Sequence, residues 1–138
     1  MGESPAVTRF YDIDEADARL AEVRPLLEAL RADRDEIARR QGDLARLRGT
    51  NGDTSHAQAI VEEEAAIRRA VERMEAAVAR LASWDVALRD IGSGLVDFPA
   101  LVSGRPVWLC WRLGEDAVAW WHEFDRGFDS RRPLAELA

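Results

Sequence analysis

The chain has 138 residues and a formal net charge of −7. That length suits one domain with a modest core, and the acidic balance disfavours nucleic acid or an anionic membrane surface as the main partner. Hydrophobic residues make up 47% and charged residues 33%, which argues against disorder, and no apolar run approaches the ~20 residues of a membrane-crossing helix.

The opening M-G-E-S-P-A-V-T-R-F lacks the basic and apolar regions of a signal peptide. It also lacks a Ser or Thr at position six for myristoylation. With a single cysteine, no internal disulfide can form, and the expected compartment is the cytoplasm.

The first structural signal is Asp12-Ile13-Asp14-Glu15, where Asp12 as N-cap and Glu15 three residues on form a capping box. Phe10 and Ile13 are expected to pack across that helix entry. Apolar residues follow at Ala16, Leu20, Val23, Leu27, Leu30, Ile37, Leu44 and Leu47, mostly at three-four spacing. Such a stripe belongs to a helix packed lengthwise against another. Pro25 is expected to kink that helix or to end a first segment at Arg24.

Gly49-Thr50-Asn51-Gly52-Asp53 breaks the pattern with turn residues, and Thr54 or Ser55 is the natural cap of a second helix. Its seam reads Ile60, Glu64, Ile67, Val71, Met74, Val78, Leu81, Asp85 and Leu88, ending at the glycines of Ile91-Gly92-Ser93-Gly94. Folding the two helices together sets Leu44 against Ile60, Ile37 against Ile67, Leu30 against Met74 and Leu27 against Val78. The same register brings Gln41 beside Glu64, either as a buried polar pair or with both turned to solvent. The arm, residues 12–91, would be roughly 50 Å long. One narrow stripe per helix leaves Leu26, Val61, Ala77 and Trp84 over, so two arms are expected to pair as a homodimeric four-helix bundle.

The remaining stretch, 94–134, holds four of the five tryptophans and the lone cysteine. Leu95–Leu101, Val107–Trp111 and Val118–His122 read as three antiparallel strands, with Pro99 suited to an edge or strand end. Pairing residue 112 with 117 sets His122 opposite Val107 and Trp108 opposite Trp121. The fold class is therefore α+β: a coiled-coil-like antiparallel helical hairpin with a small three-stranded β module, in one domain.

Three segments, G-L-V-D-F-P, L-C-W-R-L-G-E and W-H-E-F-D-R-G-F-D-S-R-R-P-L, together with the early F-Y-D-I-D-E-A-D, resemble the small bacterial proteins grouped as domain of unknown function 2203. The resemblance covers nearly the whole chain. It implies a grouping and no chemistry.

Two constellations in the β module carry candidate chemistry. His122 with Glu115, Glu123, Asp125 and Asp97 offers one imidazole and several carboxylates for Zn²⁺, Mn²⁺ or Fe²⁺, although no H-E-x-x-H or paired-cysteine spacing is present. The plainer reading makes His122 an interior histidine bonded to Asp97, Asp125 or a backbone carbonyl. Arg112, Arg126, Arg131 and Arg132, with Trp111 and Trp120, could receive a small acidic ligand or a protein partner, or could pair with nearby carboxylates and brace the tail. Cys110 among tryptophans reads as buried and inert. The leading expectation is a homodimeric interaction or ligand-binding module, and the alternative is a metalloprotein or metal-dependent enzyme.

Overall fold

The computed structural model describes residues 9–137. Helix α1 spans Ile13–Arg48 and helix α2 spans Thr54–Ser83, packed as an antiparallel pair. Five strands follow: β1 (Ala87–Asp90), β2 (Leu95–Val102), β3 (Arg105–Arg112), β4 (Trp120–Glu123) and β5 (Arg132–Pro133). They form one antiparallel sheet in the order β1-β2-β3-β4-β5. The class is α+β, with five strands where the sequence suggests three. Among the described residues, no helix is long and apolar enough to cross a membrane.

The entry of α1 is the expected capping box: Glu15 N–H donates to Asp12 Oδ1 at 2.7 Å and Asp12 N–H to Glu15 Oε1 at 2.9 Å. Phe10 and Ile13 do not pack across it; both are exposed. The buried anchor is Tyr11, whose hydroxyl donates to Trp84 O at 2.7 Å and whose ring meets Phe98 edge-on.

Helix α1 runs through Pro25 instead of stopping at Arg24. A mid-helix proline costs about 3 kcal/mol. Leu20, Val23, Leu27 and Leu30 on either side are all buried, and burial of each such side chain contributes about 1.5–3 kcal/mol. Packing wins, and the proline ring stays on the solvent side.

The turn at 49–53 lies where the sequence places it, but the cap of α2 is Asp53, which accepts from Ser55 N and His56 N. Ion pairs Arg40–Glu63 and Arg73–Asp33 tie the helices together. Gln41 is exposed and Glu64 pairs with Arg48, so they form no buried polar pair. Leu27 is buried in the core beside the sheet, and Val78 is exposed.

Helix α2 also ends earlier than the glycines at 92–94 suggest. Val86 N–H bonds to Leu81 O and Asp85 N–H to Ala82 O, the paired bonds of a Schellman termination. Asp85 takes the left-handed position at φ 59°. Buried Leu81 and Val86 supply the apolar contact, and the chain enters β1 directly. The arm is therefore 13–83, and Leu88 belongs to the sheet.

Strands β2 and β3 close through Ser103 (φ 53°) and Gly104 (φ 78°), the two-residue hairpin turn that suits right-twisted strands. Pro99 is tolerated because β1 pairs only as far as Asp97; beyond it, Pro99 O accepts from Tyr11 N. One sheet face, with Val96, Phe98, Ala100, Val107, Leu109, Trp111 and Trp121, packs with α1 residues and Leu81 into the main core. The opposite face is left to the tail.

Candidate functional site

Strand β4 is paired one residue away from the expected register. Val107 opposes Glu123, Trp108 opposes His122, Leu109 opposes Trp121 and Cys110 opposes Trp120. Because side chains alternate across a sheet, a slip of one residue exchanges the faces. The cause is the loop from Leu113 to Ala119, which is longer than a turn closing 112 on 117. The loop is held by Val118 N–H to Asp17 Oδ1 at 2.8 Å and by Trp111 Nε1–H to Glu115 O at 3.1 Å.

On the tail side of the sheet, Asp97 opposes Cys110, and Cys110 opposes Trp120, with Trp108 and His122 in the next row. Asp97 and His122 meet across the small Cys110 side chain. His122 Nε2 lies 3.0 Å from Asp97 Oδ2, and His122 Nδ1 lies 2.9 Å from the Glu123 carbonyl. A carbonyl only accepts, so Nδ1 donates to it; a carboxylate oxygen beside Nε2 favours a second proton there. Burial disfavours the charged imidazole, but the hydrogen bonds to Asp97 and Glu123 O and the Asp97 charge outweigh it. The His122 pKa is raised.

Asp97 Oδ2 also accepts from Arg89 Nε at 2.9 Å. Asp97 Oδ1, in a residue 2% exposed, receives no hydrogen bond within the fold. The ligand atoms of Asp97, Cys110 and His122 all lie within 4.8 Å of one another, and all three residues are buried. The Cys110 thiol is pushed up to about 12, first by burial and then by the Asp97 carboxylate, against a lowering influence of Arg131.

The cover over this face is made of side chains. Arg89 lies over Trp108, which stacks on Phe124 with centroids 4.2 Å apart. Arg131 is sandwiched between Trp120 and Phe128 and pairs with Glu115.

Of the residues singled out in the sequence, Asp97 and His122 come together. Glu115 is held by Arg131 and accepts from Arg112 N. The Glu123 carboxylate pairs with Arg105, so that its carbonyl, not its carboxylate, meets His122. Asp125 and Arg126 are exposed in the tail. Arg112 lies over Phe128, and Arg132 over Trp121. Trp111 faces the helices, while Trp120 lines the tail side. The third member of the cluster is Cys110, which reads as inert in the sequence. Only its place opposite Asp97 reveals it.

These features define a helical-hairpin protein whose terminal sheet carries a buried Asp-Cys-His cluster under an arginine–aromatic cover. A family model described as an uncharacterized conserved protein (DUF2203) matches residues 9–134, and the chain belongs to that family. Neither a curated protein nor a solved structure matches it.

Proposed function

We propose that the protein is a binding module whose ligand site is the Asp97–Cys110–His122 cluster. The observation that carries this reading is Asp97 Oδ1, a buried carboxylate oxygen without a donor. Leaving such an atom unsatisfied costs about 1–3 kcal/mol, which a ligand bringing positive charge or a hydrogen-bond donor would recover. Access needs only side-chain movement, because Arg89 and Arg131 cover the site as side chains and their displacement breaks no strand pairing. In this reading Arg112, Arg131 and Arg132 act as braces and lids through their aromatic and carboxylate partners.

Native mass spectrometry of the purified full chain tests it. The expected result is one adduct per chain, lost in His122→Asn. An unadducted mass in every preparation would count against a resident ligand.

A second, compatible reading concerns the arm. Val61, Val71 and Val78 on α2 are 57%, 40% and 42% exposed, which favours pairing of two arms in a homodimer. A cytoplasmic setting suits both readings, because Cys110 is a free buried thiol and reducing compartments keep thiols so.

A further inference from the structure

We infer that the ligand is a divalent transition-metal ion of the zinc type, bound by Asp97, Cys110 Sγ and His122 Nε2. The inference rests on the binding reading above and narrows it to one class of ligand.

Four features converge on it. The first is proximity: the three donor atoms lie within 4.8 Å of one another. Zinc bonds of about 2.0–2.3 Å place neighbouring ligand atoms about 3.3–3.8 Å apart in a tetrahedron. The contraction required is therefore about 1 Å at the widest pair, within the reach of side-chain torsions.

The second is the orientation of the imidazole. His122 Nδ1 donates to the Glu123 carbonyl, and metal-bound histidines typically anchor their outer ring nitrogen in this way. That contact turns Nε2 toward the other two donors. The third is Asp97, whose Oδ2 is occupied by Arg89 while Oδ1 has no donor. Arg89 thus orients the carboxylate from outside and leaves one oxygen for an ion.

The fourth is charge. A divalent ion takes the place of protons at its ligand atoms, which leave to solvent, and is surrounded by a neutral imidazole, a carboxylate and a thiolate. The two negative ligands match its charge, so the nearby Arg89 and Arg131 stand beside a neutral cluster. Arginines beside a cation site are tolerable on this balance. Sulfur among the donors favours zinc-like ions over manganese, magnesium or calcium, which prefer oxygen. Three protein ligands leave one tetrahedral position for water or an incoming group.

The test is titration of the full chain, freed of metal by chelator, with Co²⁺ as the probe and Zn²⁺ as competitor. The expected outcome is saturation at one Co²⁺ per chain with an intense near-ultraviolet thiolate-to-cobalt band that Zn²⁺ abolishes. Cys110→Ser should lose the band, and His122→Asn should weaken Co²⁺ binding about tenfold or more. A wild-type spectrum without the band overturns the inference, whatever the variants do; so does a band that persists in Cys110→Ser. An organic adduct in native mass spectrometry with no cobalt band would overturn the metal and keep the binding module. No adduct and no band would overturn both.

Discussion

His122 Nε2 lies 3.0 Å from Asp97 Oδ2, and both residues are buried. Removal of either partner leaves the other charge in a dry setting. Breaking such a buried pair typically costs about 3–5 kcal/mol. His122→Ala is expected at the lower end of that range, because Arg89 still holds Asp97. The midpoint of urea unfolding, compared with wild type, measures it. A change under about 0.5 kcal/mol would show that the pair is not formed in solution.

The same pair makes stability depend on pH. In the metal-free chain the folded His122 pKa is raised above an unfolded value of about 6.5. The folded state then binds the proton more tightly, so the contribution is complete below that value and disappears as pH rises through the folded pKa. The groups facing the imidazole are Asp97, the Glu123 carbonyl and, more distantly, Arg89 and Cys110. Chelator-treated wild type should lose stability from about pH 6.5 upward, and His122→Asn should lack that slope. Parallel curves for the two proteins would contradict the assignment.

Cys110 should resist thiol reagents in the native state. With its pKa at about 12, the thiolate fraction at pH 8 is on the order of 10⁻⁴, and the side chain is fully buried. Ellman's reagent is expected to react with the native chain far more slowly than with the urea-unfolded chain. Equal rates would mean that the tail does not cover this face.

Two left-handed glycines separate backbone strain from crowding. Gly104 (φ 78°) has open space where a Cβ would stand, whereas a Cβ at Gly94 (φ 67°) would come within 2.5 Å of Leu113. Gly104→Ala should destabilise by about 1 kcal/mol. Gly94→Ala should add a further 1–3 kcal/mol of overpacking, roughly. Thermal unfolding of the two variants reads the difference, and equal melting temperatures would mean that Leu113 yields freely.

Much of the arm was legible because a helix against a helix repeats its apolar residues at a fixed spacing. Leu20, Leu27 and Leu30 announced the buried stripe, and Asn51-Gly52 announced the turn. The end of α2 was hidden for a physical reason. Asp85 occupies the left-handed cap position usually marked by glycine, and Leu88 happens to continue the three-four spacing into what is β1. The site was half legible. Asp97 and His122 stand out as ionisable residues in apolar surroundings, but their partner depends on the β3–β4 register, and a seven-residue connection does not fix its own pairing. A shift of one residue placed His122 on the face of Cys110 and removed it from the face of Val107.

Light scattering on the purified chain addresses the arm. Exposure of Val61, Val71 and Val78 leads to an expected mass of twice the chain at micromolar concentration, reduced to one chain in a triple Val→Glu variant that keeps its helical circular dichroism. A wild-type monomer would rule out pairing through the arm.

The most direct measurement at the cluster is the ¹⁵N resonance pair of the His122 imidazole, recorded with and without one equivalent of Zn²⁺. In the metal-free chain, below the raised folded pKa of His122, both nitrogens should have the shifts of protonated sites. On addition of zinc, Nε2 should move to the range of a metal-bound nitrogen while Nδ1, held by the Glu123 carbonyl, stays protonated. An Nε2 resonance unchanged by zinc would contradict metal binding at Asp97, Cys110 and His122.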